Sequence, residues 1–119
     1  MYEMFSYCTS LESLDLSNFN TLYVEDMDEM FFNCHSLTSL NLSSFNTNNV
    51  HSMVSMFSNC TSLKYLDISH FNINYVNYFF CENIFSSINN NVTIYINSGF
   101  KNILRGRGEI DGLRFKIIN

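Results

Sequence analysis

The sequence predicts an α/β solenoid with a parallel sheet on one face, short helices on the other, and a degenerate C-terminal cap. Three observations predict it. The chain matches itself at a shift of 26 residues, with eleven of 26 columns identical in three copies and no insertion. A fixed period of this length marks stacked units that each cover a neighbour's apolar face. Each copy then holds one stretch with the two-residue period of a strand and one with the spacing of a helix.

The repeat columns set the expected core. They include Met1, Met27 and Met53; Met4, Met30 and Met56; Phe5, Phe31 and Phe57; and Cys8, Cys34 and Cys60. Leu11, Leu37 and Leu63, then Leu14, Leu40 and Leu66, continue the series, followed by Phe19, Phe45 and Phe71, and Val24, Val50 and Val76. Three repeats therefore occupy residues 1–78, and residues 79–119 are read as a degenerate fourth repeat and a cap.

In the middle repeat, Leu37, Leu40 and Leu42 form L-x-x-L-x-L. Leu40 and Leu42 point to one side of a strand, so Ser39, Asn41 and Ser43 point to the other. The stretch Asn46-Thr-Asn-Asn has turn composition, because its side chains bond their own backbone. Met53, Met56, Phe57 and Cys60, spaced 0, 3, 4 and 7, then make the apolar stripe of a short helix. Asp26 and Ser52 stand where N-caps belong, and Glu25, Asp26, Asp28 and Glu29 read as capping and dipole-compensating acids.

Past residue 78 the count puts Glu82, Asn83 and Ser86 in the Met, Phe and Cys columns. Val92, Ile94 and Ile96 stay in phase with Leu14, Leu16 and Asn18 one register later, and Val92-Thr-Ile-Tyr-Ile predicts a fourth strand. Ser98 is the expected cap of a short helix over Phe100–Leu104. A turn at Gly106-Arg-Gly108 and Gly112 leads to a last strand over Leu113–Ile118.

Composition narrows the function. Only 14% of the 119 residues are charged, against about 25% in ordinary soluble domains, so the polar surface is built from Ser, Thr and Asn. Residues 1–97 hold nine of the eleven acids and only Lys64 as a base, which argues against nucleic acid along the repeats. No run has the length to span a bilayer, so direct membrane insertion of this segment is not expected. Residue 1 falls on the first column of a repeat with no cap before it, so a fragment of a longer array is expected, with Met4, Phe5, Leu11 and Leu14 bare at its end.

Candidate reactive groups do not converge. The four cysteines lack C-x-x-C spacing; three form a ladder and read as buried free thiols, while Cys81, out of column, is expected to be exposed. His35, His51 and His70 occupy different columns and share no face, so neither a catalytic site nor a metal or cofactor site is expected. Asn41, Asn59 and Asn91 each begin a glycosylation-type triplet, as chance provides in so Asn-rich a chain.

The unit M-x-x-M-F-x-x-C-x-S-L-x-x-L-x-L-S-x-F-N, with Val four residues on, resembles the 26-residue repeat of BspA-like leucine-rich-repeat surface proteins, which include mycoplasma-lipoprotein-associated repeats. The resemblance implies a leucine-rich-repeat solenoid at the cell surface or outside the cell. It also implies no catalysis, and adhesion to host or extracellular-matrix proteins. The chain departs from the general leucine-rich repeat in placing Phe19, Phe45 and Phe71 where Asn or Cys is usual.

The expected recognition surface is the outward strand face, where the repeats differ: Ser13 and Asp15, Ser39 and Asn41, Tyr65 and Asp67, then Thr93 and Tyr95. Small polar residues with two tyrosines suit extended contact with protein or glycan. The alternative is an intracellular protein-interaction scaffold built on the same face.

Overall fold

One four-stranded parallel sheet, in the order β1-β2-β3-β4, organises the computed structural model, which describes residues 1–72, 75, 78–104 and 110–119. The strands are β1 Ser39–Asn41, β2 Tyr65–Ile68, β3 Thr93–Ile96 and β4 Arg114–Ile117. The helix α1 spans Ser98–Leu104, and a 3-10 turn covers Tyr78–Cys81. The protein is thus α/β, with a parallel sheet and, among the described residues, one short α-helix. The first repeat supplies no strand of its own, although Glu12 C=O accepts the Thr38 N–H at 3.2 Å. Val76 and the turn expected at Gly106–Gly108 lie outside the described residues.

Register shows how the repeats meet. Leu40 pairs with Leu66, a step of 26, but Leu66 pairs with Ile94, a step of 28. Ile94, and not Val92, therefore stands in the leucine column. Two residues are added between Asn72 and Phe80, as the backbone bonds from Met27 to Ser52 and from Met53 to Phe80 also require. Because strand side chains alternate, a shift of two preserves which face each residue takes.

The same shift revises the fourth repeat. Cys81, Ile84, Phe85 and Ile88 take the places of Met53, Met56, Phe57 and Cys60, and all four are buried. Glu82 and Asn83, assigned to those columns by unbroken counting, face solvent. Cys81 is buried rather than exposed, since it occupies a methionine position in the core.

The apolar stripe expected to be helical is a series of turns instead. Glu3, Glu29, Ser55 and Asn83, and likewise Tyr7, Asn33, Asn59 and Ser87, have φ between 51° and 61°. Left-handed residues at every fourth place exclude an α-helix of L-residues. The N–H groups of Met27, Glu29, Phe31 and Asn33 donate to Ser52, Val54, Met56 and Ser58 of the next repeat at 2.9–3.0 Å. Between them, Met30, Phe32 and Cys34 donate to residues three places back. Half of the donors a helix would use internally thus join one repeat to the next.

The core between sheet and turns holds two ladders. Phe31 stacks on Phe5 at 5.6 Å and on Phe57 at 5.8 Å, and Phe57 stacks on Phe85 at 6.0 Å, with interplanar angles of 5–18°. Buried Thr21 donates its hydroxyl to Asn46 C=O at 3.0 Å and accepts the Asn46 N–H at 2.8 Å. Thr47 does the same with Asn72. At the first repeat Met4 and Phe19 are exposed, whereas Phe5, Leu11 and Leu14 are half-buried.

At the other end, Asn97 and not Ser98 caps α1, since its side-chain oxygen accepts the Phe100 N–H at 2.8 Å. The Asn97 amide also donates to Ser69 and Phe71 carbonyls, tying the helix start to the third repeat. Phe100 stacks on Phe71 at 6.1 Å.

Candidate polar strand face

Pairing aligns the outward residues in two rows. Ser39, Tyr65, Thr93 and Arg114 form one; Asn41, Asp67, Tyr95 and Lys116 form the other. The structure therefore brings together six of the eight residues expected from sequence. Ser13 and Asp15 lie in the preceding repeat, exposed, beyond the assigned strands. Arg114 and Lys116 were not anticipated at this site. Thr93 to Arg114 is a step of 21, off the repeat period, and only the polar-apolar alternation of Arg114-Phe-Lys116 hinted at their side.

Local turn chemistry fixes the second row. The side-chain oxygens of Asp15, Asn41 and Asp67 accept the N–H of Ser17, Ser43 and Ser69 at 2.9–3.0 Å. Each closes the Asx turn by which the chain leaves the strand. This column is therefore structural as well as polar, and Asp and Asn serve it equally. In Asp15 the bond from the Ser17 N–H holds the carboxyl below the usual range.

Asp67 is the most heavily engaged of the three. Besides the Ser69 N–H it accepts the Ser69 hydroxyl at 2.7 Å and the Tyr65 hydroxyl at 3.3 Å. Burial, followed by the Asp67 charge, pushes the Tyr65 phenol up. The Tyr65 and Tyr95 rings lie 5.1 Å apart, tilted by 45°. Lys116 Nζ sits 5.3 Å from the Tyr95 ring centre and 3.4 Å from its hydroxyl. Beside this cluster a shallow depression of about 120 Å³ opens between Asp15, Ser17, Asn41 and Ser43.

Other polar groups serve the frame. Asp28 does not cap a helix. Its carboxylate reaches the next repeat, accepting the Val54 N–H at 2.7 Å and the Ser52 hydroxyl, while Asp26 accepts the Asp28 N–H. The Cys34 and Cys60 thiols donate to Phe5 and Phe31 carbonyls, and burial pushes them up to about 11 and about 12. At ordinary pH such thiols are protonated and unreactive. His35 lies near Thr61, His51 stacks on Tyr75 and His70 meets Ser69, so the three rings are apart. Among the described residues no group of three His, Cys, Asp or Glu side chains is placed to hold a metal ion. No helix among them is long and apolar enough to cross a membrane.

Together these features define a small α/β protein of in-register sequence repeats, presenting an aromatic and polar strand face. The family described as "Mycoplasma protein of unknown function, DUF285" matches residues 1–101, and the chain belongs to that family. No curated protein and no solved structure gives a significant match.

Proposed function

We propose that the chain is a leucine-rich-repeat solenoid segment of a cell-surface protein and binds protein or glycan through its strand face, without catalysis. The observation that carries this reading is the outward cluster of Tyr65, Tyr95, Asp67 and Lys116, held by hydrogen bonds and ring contacts on a rigid sheet. Tyrosine combines a broad apolar ring with a hydroxyl and loses little conformational entropy on binding, which makes it a frequent anchor at interfaces. The neighbouring Ser and Asn side chains are short, so a ligand has access to the rings. The step-by-step pairing of the repeats supports the stacked architecture.

The test is binding of the folded chain to purified extracellular-matrix proteins and to a glycan array. Wild type should bind at least one probe, and Tyr65→Ala with Tyr95→Ala should weaken it by at least about ten-fold. Glu82→Gln, exposed on the turn side, should leave it unchanged. Absence of all binding, or binding that survives loss of both tyrosines, would overturn the proposal.

A further inference from the structure

The outward residues of the four strands differ sharply in what charge they leave available. Asp67, the one acid among them, is engaged by three hydrogen bonds from Ser69 and Tyr65. Arg114 and Lys116 are both exposed on β4, on the same face, two residues and so about 7 Å apart. Lys116 makes a long bond to the Tyr95 hydroxyl and lies over the Tyr95 ring, both uncharged partners, and the Arg114 guanidinium makes no hydrogen bond or ion pair among the described residues. An otherwise acidic chain, with a formal net charge of −5, thus gathers free positive charge at one border of its candidate site.

None of these outward residues is aliphatic: they are Ser39, Asn41, Tyr65, Asp67, Thr93, Tyr95 and the two bases. Such a face has ring surface and hydroxyl or amide groups, and the shallow depression beside it is lined by Asp15, Asn41 and serines as well as by Leu14 and Leu16. A hydroxyl-rich ligand with flat C–H faces matches it. The four strands span about 14 Å from β1 to β4, enough for several consecutive units of a chain lying across them.

Resting on the reading of the strand face as the binding surface, we propose that its ligand is a linear acidic polysaccharide bearing uronic-acid carboxylates. A sugar ring lies against Tyr65 over the small Ser39 side chain. A carboxylate further along the chain meets the Arg114 fork, with Lys116 beside it. Arginine's paired N–H donors fit the two oxygens of a carboxylate, which sets the direction in which the polysaccharide lies. The tyrosines give contact area and the bases select for charge.

Titration with hyaluronan oligosaccharides, neutral dextran and poly-glutamate tests this directly. Hyaluronan should bind, more weakly as salt rises, and the other two should not. Arg114→Gln and Lys116→Gln should each weaken hyaluronan binding by about ten-fold, and Tyr65→Ala should weaken it at least as much. Melting curves on each variant separate lost contact from lost fold. Equal binding of dextran would overturn the role of the bases, and equal or tighter binding of poly-glutamate would replace the sugar with an acidic peptide. Failure of hyaluronan to bind would overturn the ligand class. The strand-face reading would then stand only if a matrix protein still bound in a Tyr65-dependent way.

Discussion

Phe57→Ala is expected to remove about 3–5 kcal/mol of stability, the range for truncating a buried aromatic side chain. The ring is fully buried and stacks on both sides, on Phe31 and on Phe85. Small domains are stable by roughly 5–15 kcal/mol in all, so this single change should bring the chain close to unfolding. Phe5→Ala in the same column should cost only about 1–2 kcal/mol, because that ring is half-buried and stacks on one ring of the column, Phe31. Urea titration of both variants gives the comparison. Equal losses would mean that the aromatic column is not a continuous stack.

The threonine ladder gives the second large effect. Thr21→Val or Thr47→Val keeps the side chain's shape but deletes the hydroxyl on which two hydrogen bonds to the next repeat depend. Both threonines are buried, so water does not readily take over the lost bonds. At about 1–3 kcal/mol for a buried polar group deprived of its partner, a loss of about 2–4 kcal/mol is expected at either site. Thr→Ser at the same positions retains the hydroxyl and should lose less than half as much. Were valine tolerated as well as serine, the ladder would contribute nothing to holding the repeats together.

How much of this was readable in the chain differs from element to element. Burial of Met30, Phe31, Cys34, Leu37 and Leu40 followed from their columns, because apolar identity at a fixed period leaves few other places for them. The outward row through Asn41, Asp67 and Tyr95 followed from strand alternation alone. Hydrophobic spacing did not distinguish a helix from a chain of turns. Residues at 0, 3, 4 and 7 reach the same side in both, and what decides is the sign of φ at Glu29 and Asn33, or Ser55 and Asn59. Asparagine at positions 33, 59 and 83 was the available clue, since it tolerates left-handed backbone better than most residues. Glu29 and Ser55 gave no such sign.

Cys81 went astray for a different reason. Counting by 26 cannot register two added residues, although Cys81, Ile84, Phe85 and Ile88 repeat the 0, 3, 4, 7 spacing two places late. Arg114 and Lys116 are legible in the sequence as part of a basic tail, but their place on the strand face is not, because their partners in β3 are set by strand pairing across α1, which no period in the sequence specifies. The basic border of the candidate site was therefore the part least accessible to sequence reasoning.

Proton-proton contacts measured by nuclear Overhauser spectroscopy on the folded chain test the in-register packing of the repeats most directly. Cross-peaks are expected between the rings of Phe31 and Phe57 and between those of Phe57 and Phe85, whose centres lie 5.8 and 6.0 Å apart. A Phe57 ring that meets neither partner, or that meets Asn83 in place of Phe85, would contradict the account.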